Sequence, residues 1–377
     1  MKKKKSKVGK FESQQSIRKY ARGKRVTKGL GLAVVIVLVV VALVLAVAYG
    51  YYRSKIGMLQ PDETRAPDAT LTSEDVAALE AEGQELASQM DSLLEGLEEV
   101  EIVEAQGEIR QEDDVLNILL IGTDERTKDF SDTARGDSCI LFSVNTSGDA
   151  PVISLVSFER GLAMPILSGQ YTGQYDWLTH LFRYGGAEMM MESLEESFKV
   201  DLDYYVRVNF TVFQEGINAL GGVDIDLSQS EASFLSGYFK KSFKTGVNTL
   251  TGEHALQYAR LRAIDDDWHR VERQRKVIEA ALNSVKTMSL SEADSLINTC
   301  LSMVRTNLDE DVITELLFML PSLGDATFQQ TTIPQPGTYG GKTVMGGRGS
   351  FGADFQVNTE YLHEFIYGEY KENDSVG

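Results

Sequence analysis

The chain has 377 residues, with 37 Lys or Arg against 56 Asp or Glu and a formal net charge of −19. So acidic a balance excludes nucleic-acid binding over the body of the chain, and four histidines with no zinc-ligand spacing exclude a zinc enzyme. The charge is unevenly spread: residues 1–28 hold twelve Lys or Arg and one acid, Glu12, which leaves 25 basic and 55 acidic residues for the rest. Residues 29–52 carry no charge and are long enough to span a bilayer, for which about 20 apolar residues suffice. The basic tail then stays cytoplasmic and everything after Arg53 lies outside; anionic inner-leaflet lipid, not nucleic acid, is its economical partner. A cleaved signal peptide is the rival reading, since Ala46-Val-Ala48 resembles a cleavage site, but the apolar run exceeds the ~7–15 residues of a signal core. The expected location is therefore the cell membrane, single-pass, with the C-terminal domain outside.

Residues 53–111 read as a linker and an acidic amphipathic helix. Val76, Leu79, Leu86, Met90, Leu93, Leu97 and Val100 alternate by threes and fours, with Gly83 where the pattern lapses. Two readings stand: a coiled-coil stalk that forms a homodimer through the 73–103 helix, or a helix packed on its own domain. The domain itself is expected over 112–377. Strand patterns at 116–121, 139–144 and 152–158 open it, the last two joined by a hairpin loop over 145–151. If the first two also pair antiparallel, Asp124, Arg126, Arg135, Asp137 and Arg160 meet at one rim of the sheet. Two carboxylates beside arginines suit a Mg²⁺-bridged polyphosphate; the plainer alternative is that Asp124 and Asp137 pair with Arg126 and Arg135 in a loop. Cys139 falls in a strand pattern and reads as a buried free thiol or as half of a disulfide with Cys300.

Met189–Met191, Leu194 and Phe198 lie at helical spacing and read as core. Together with Phe210, Phe213, Ile217 and Leu220 they are the alternative lining for an apolar tail. The densest basic cluster follows: Arg260, Arg262, Arg270, Arg273 and Gln274, with Asp265–Asp267 as caps for a new helix. On that helix Arg270, Arg273 and Gln274 share one face, and in an extended link Arg260 and Arg262 point the same way. Such a cluster suits phosphate, whereas the bland reading is a surface helix with ordinary salt bridges. Helices are expected at 291–304, 311–320 and 358–370. The glycines at 340–349 form no phosphate-binding fingerprint and read as a flexible loop, and no Ser-His-Asp or Cys-His arrangement supports acyl transfer.

Six blocks of this sequence resemble the LytR-CpsA-Psr family: LNILLIGTDER at 116–126 followed by RGDS at 135–138, ISLVSFER at 153–160, HLFRYGG at 180–186, VRVNF at 206–210, ALGGVDID at 219–226, and LTGEHALQYARLR at 250–262 continuing to Arg270 and Arg273-Gln274. They span 114–285. The resemblance implies an α/β fold with a mixed β-sheet sandwiched between helices and a lipid-lined pocket. It implies a phosphotransferase of the Gram-positive envelope that moves a glycopolymer, such as teichoic acid or capsule polysaccharide, from a polyprenyl-pyrophosphate carrier to peptidoglycan. Carried over by position, Asp124 and Asp137 match the magnesium ligands. Arg135, Arg160, Arg260, Arg262, Arg270 and Gln274 match the pyrophosphate set, with Arg126, Arg273 and Asp267 as further candidates. Asp124, Asp137, Arg160 and Arg270 are the expected catalytic residues, and the general base is unassigned between Asp137 and Asp267. One departure stands out: Gly161 follows Arg160 where the family has an aspartate, with Glu159 or Asp176 as substitutes. A lipid-pyrophosphate hydrolase, and a non-enzymatic receptor for anionic glycan or lipid carrier, are the alternative functions.

Overall fold

The computed structural model describes residues 62, 65–125, 130, 131, 134–286, 303–308 and 326–368. The basic tail, the apolar run, Arg126, Cys300 and most of the two helices expected between 291 and 320 lie outside these residues. Among the described residues no helix is long and apolar enough to cross a membrane.

The three opening strands form close to where the pattern puts them: β1 (Val115–Thr123), β2 (Gly136–Asn145) and β3 (Val152–Phe158). Their apolar runs are near-continuous, as befits strands covered on both faces. Both β1–β2 and β2–β3 pair antiparallel. Beyond them come β4 (Ala163–Pro165), β5 (Tyr175–Trp177) and helix α1, which precedes the sheet at Ser73–Leu94. Helix α2 (Leu178–Phe198) leads into β6 (Tyr204–Asn209) and α3 (Phe210–Ala219). The hairpin β7 (Val223–Leu227) and β8 (Gly246–Leu250) encloses α4 (Gln229–Phe239), and α5 (Gly252–Ala259) and α6 (Asp267–Lys286) follow. The chain then supplies β9 (Arg305–Thr306), β10 (Thr327–Ile333), β11 (Tyr339–Val344), β12 (Arg348–Ala353) and α7 (Phe355–Tyr367).

Six strands make one sheet in the order β10-β3-β2-β1-β6-β9. Parallel pairs β1–β6 and β3–β10 make it mixed. Leu119, Ile121, Leu141, Val156 and Phe158 face a large core shared with α2 and α7, including Met189, Met190, Leu194 and Phe198. Their alternates Ile118, Ile140, Phe142 and Leu155 are buried as well. Helix α6 covers β3 and β10, where the buried Arg275 donates to Ser157 Oγ at 2.7 Å and Thr332 Oγ1 at 2.8 Å. A smaller second core joins Ile217, with Phe213 and Leu220, to the β7–β8 hairpin and α4–α6. The methionines and these α3 residues are therefore packing, not the lining of an apolar slot. Cys139 is a free thiol buried on β2.

Two expectations change. The glycine-rich stretch is not a flexible loop but the β11–β12 hairpin, onto which the chain at Glu98–Val100 docks through Gly341 N–Glu98 O (2.8 Å) and Val100 N–Gly341 O (2.9 Å). Small residues allow that strand-like approach. Helix α1 is not a free stalk either. Leu79 and Met90 are buried in the main core and Val76, Leu93 and Leu94 pack against it. Much of the apolar seam is thus packed on the helix's own domain, while Leu97 stays 38% exposed. Gly83 has its own reason: a Cβ there would lie 2.5 Å from Arg348 Nη1 and 2.7 Å from its Cδ, so the lapse admits the arginine that crosses α1.

A capping box starts α1, with Thr72 Oγ1 accepting from Asp75 N and Asp75 accepting from Thr72 N. Arg65 adds an ion pair to Asp75 at 3.0 Å. Burial alone would raise the Asp75 carboxyl, but the hydrogen bonds from Arg65 and Thr72 outweigh it and hold it at about 2. A depressed folded-state value gives stability that is present above the unfolded value and is lost as pH falls. Asp75→Ala is expected to destabilise the domain by about 1–2 kcal/mol at neutral pH. Thermal melts of wild type and variant should differ fully above pH 4 and converge as pH falls towards 2.

Candidate active site

The C-terminal end of β1, the start of β2 and the end of β3 are neighbours because β1 and β3 both run antiparallel to β2. That topology brings Asp124, Arg135, Asp137 and Arg160 to one rim, and α2 and α6 add residues from their first turns. Arg135 binds Asp124 with its backbone N (3.2 Å), Nε (3.1 Å) and Nη2 (2.8 Å), and the same Nη2 lies 3.7 Å from Asp137 Oδ2. Arg160 Nη1 lies 3.9 Å from Asp137 Oδ1, which also accepts from Thr179 Oγ1 at 3.2 Å. Burial by itself would raise the Asp137 carboxyl; Arg135, Arg160, Arg270 and Arg262 together overcome that and hold it below the usual carboxylate range.

Asp267 is the hub of the cluster. It is 3% exposed and accepts from Arg270 Nε and Nη2, both at 2.8 Å, while Arg262 Nε at 2.6 Å and Arg160 Nε at 3.4 Å pair with it by charge. Asp266, one residue earlier, starts α6 by accepting from His269 N at 3.1 Å. From the same helix face Arg270 Nη1 donates to the Asp137 carbonyl at 3.1 Å, and Gln274 Oε1 accepts from Ser138 Oγ at 3.0 Å. Crowding tells on the arginines. Burial and the neighbouring Arg270 and Arg160 push Arg262 down to about 10, despite Asp267 and Asp137. Asp267 is kept well below the carboxylate range: its burial is outweighed by Arg270, Arg160 and Arg262.

Not every expected residue joins. Arg273 is buried elsewhere, donating to Glu231 at 2.7 Å and to the Leu261 carbonyl at 2.9 Å and pairing with Asp265. Its one-turn offset from Arg270 turns it to the β7–α4 side, where it ties α6 to α4. Arg260 ends α5 and lays its guanidinium over Phe210, 4.4 Å from the ring centre. The link between the two arginines is not a strand, and in this structure Arg260 faces Phe210 while Arg262 faces Asp267.

Glu159 is the neighbour that spacing alone underrates. It is fully buried against the hub; burial foremost, then the Asp267 charge, raises its carboxyl well above the usual range, against the pull of Arg270 and Arg160. Asp176, by contrast, is committed to Arg348 (2.6 Å), His180 (3.0 Å) and Tyr184 (2.6 Å). Of the two substitutes for an acid at 161, Glu159 is the one whose charge feels Arg270 and Arg160. Gly161 itself has a steric reason: a Cβ would lie 2.5 Å from Met90 Cε and 2.7 Å from its Sδ. A side chain at 161 would have to push the end of Met90, from α1, aside.

Among the described residues no three His, Cys, Asp or Glu side chains gather to hold a metal. A magnesium ion asks for less, since one or two carboxylates suffice when phosphate and water complete its shell. Asp124 and Asp137 meet that demand: they are hard oxygen donors, 27% and 22% exposed, turned towards a common cationic nitrogen of Arg135. The donor set fits such an ion, and the surrounding arginines fit a diphosphate.

Comparison with known proteins gives a consistent picture. The LytR_cpsA_psr family model matches residues 78–359, which includes most of α1. The polyisoprenyl-teichoic acid–peptidoglycan teichoic acid transferase TagU of Oceanobacillus iheyensis is 33% identical over 224 residues, 56% of this chain and 66% of that protein. TagT of Bacillus subtilis is 31% identical over 204 residues, covering 52% of this chain and 61% of that protein. The chain thus spans just under two thirds of the length of these curated relatives. A solved structure of TagT bound to LIIa-WTA is 26% identical, with a TM-score of 0.54 over 71% of this chain and 100% of that one. The crystal structure of B. subtilis TagT, at 23% identity and a TM-score of 0.53 over the same shares, bears on the fold alone.

Removing the hub should leave three arginines without their shared counter-charge. Asp267→Ala is expected to destabilise the domain by about 3–5 kcal/mol, and inorganic pyrophosphate should restore part of the lost melting temperature. Arg273→Ala should destabilise comparably, with no restoration by pyrophosphate beyond that seen for wild type. Differential scanning fluorimetry with and without the anion checks both.

Proposed function

Because this chain belongs to the LytR-CpsA-Psr family, we propose that it is a membrane-anchored glycopolymer transferase. It would pass an anionic glycopolymer from a polyprenyl-pyrophosphate carrier to a peptidoglycan hydroxyl through a phosphodiester. The observation that carries this reading is the cluster itself: Arg135, Arg160, Arg262 and Arg270 converge on two carboxylates, Asp137 and Asp267, at one sheet rim. That is a site for phosphate oxygens with room for a cation. The relatives named as teichoic acid transferases support the substrate class.

In this reading Asp124 and Asp137 hold Mg²⁺, which when bound screens the charge of the diphosphate oxygens. The acceptor hydroxyl attacks the glycopolymer-side phosphorus; a new P–O bond forms and the bond to the polyprenyl phosphate breaks. Polyprenyl phosphate leaves with the electron pair, and the hydroxyl proton passes to a carboxylate on the open side of the cluster. Asp137 suits that position better than Asp267, which is buried and fully engaged by arginines. Arg160 and Arg270 then trade their contacts with Asp267 for phosphate oxygens and meet the charge that grows on the leaving group. Arg262, exposed by about a third, is the member best placed to swing onto the substrate. Arg126 lies outside the described residues and keeps its place as a candidate phosphate ligand. Residues 1–28 on the inner leaflet and 29–52 as the anchor put the domain on the outer face, where carrier and peptidoglycan meet.

Incubating the full chain with a polyprenyl-pyrophosphate oligosaccharide and peptidoglycan fragments should yield a glycan–phosphate–peptidoglycan adduct by mass spectrometry. The adduct should depend on Mg²⁺ and fall by at least about a hundredfold in Arg160→Ala, the scale of losing one transition-state donor. Free phosphorylated sugar without adduct would make the protein a hydrolase. An intact donor, retained by the folded protein, would make it a receptor.

A further inference from the structure

Arg207, on β6, is among the largest side chains buried outright, at 1% exposed, and the reaction above makes no use of it. A guanidinium out of water needs counter-charge and full hydrogen bonding. Arg207 has both. Nη1 donates to Asp62 Oδ1 at 3.0 Å, Nη2 donates to the Glu125 carboxylate and to the Ser131 carbonyl (2.5 Å), and Nε donates to Thr123 Oγ1 at 3.4 Å. The rings of Phe182 and Phe130 lie 4.5 and 4.8 Å from its Cζ, and Arg305 lies over the same Phe130 ring at 4.7 Å. Ser131 N donates to Glu125 Oε1 at 3.0 Å, and the Glu125 carbonyl accepts from Phe210 N at 3.2 Å.

These contacts divide into two groups. Thr123, Glu125, Phe130 and Ser131 all belong to the turn that carries Asp124. Asp62 belongs to the segment between the apolar run and α1, and its side chain is 2% exposed at this point. One buried cation therefore ties the incoming segment to the turn that presents a site carboxylate. We infer that Arg207 is a positioning residue for the Asp124 turn, and that its ion pair with Asp62 is part of what holds it in place. The inference rests on the reading of Asp124 as a cation ligand. With Asp62 removed, Arg207 keeps Glu125 as counter-charge, so the domain should fold while the turn loosens.

The test uses the full chain in lipid nanodiscs with Asp62→Asn and, as the harsher variant, Arg207→Met. Hydrogen exchange followed by mass spectrometry reads the turn directly. In Asp62→Asn, amides at Glu125 and Ser131 should exchange about tenfold faster while β2 and β3 keep wild-type rates. Mn²⁺ alone, titrated by electron paramagnetic resonance, should bind about tenfold more weakly, and turnover should lose kcat at unchanged KM for the lipid donor. Unchanged exchange around the turn in Asp62→Asn overturns the inference, whatever Arg207→Met does to folding. A lower melting temperature with wild-type Mn²⁺ affinity overturns it too, since that is the mark of a merely structural pair. If exchange responds but Mn²⁺ binds neither wild type nor variant, the tie stands and the reading of Asp124 as a cation ligand falls.

Discussion

Asp267 binds three arginines at once, and the rest of the site is arranged around that demand. Guanidinium groups brought this close repel one another, and the repulsion is tolerable only with a buried carboxylate among them. The hub also fixes geometry. Arg160 follows the third strand, Arg262 follows α5 and Arg270 rises from the first turn of α6, so the end of β3 is pinned to the α5–α6 corner. A carboxylate is a weaker match for arginine than a diphosphate, which offers more oxygens and more charge. Under the proposed function, an incoming diphosphate would take these arginines over from Asp267.

Glu159 qualifies that balance. Burial and the Asp267 charge raise its carboxyl, and it fills the volume beside the hub with a polar group. It sits before the arginine, where the family pattern has its acid after it. Met90 from α1 packs against Gly161, so an added side chain there would have to displace the end of that methionine.

Much of the framework could be read from the chain. The strand patterns at 116–121, 139–144 and 152–158 and the hairpin loop between the last two placed the sheet rim, because continuous apolar runs bounded by polar turns leave few other choices. The rim then foretold the meeting of Asp124, Arg135, Asp137 and Arg160. Helical spacing correctly put Arg270 and Gln274 on one face but also recruited Arg273, since an i, i+3 step leaves enough rotation for a different neighbour to capture the side chain. That neighbour, Glu231, lies 42 residues away and cannot be seen by local periodicity. The same limit applies to α1: a heptad seam is equally good for a partner helix and for the flank of a domain. Arg207 carried no motif of chemistry at all; only the fold reveals the two acids that surround it.

The docking of α1 moves the physical start of the domain. A fragment cut at residue 112, where the strands begin, would strip Leu79 and Met90 from the core and leave their bed of apolar side chains open to water. It would also remove Asp62 from beside a buried arginine. Such a fragment presents the kind of contiguous apolar surface that drives self-association. The smallest autonomous unit therefore begins within about ten residues of the apolar run's end at Tyr52.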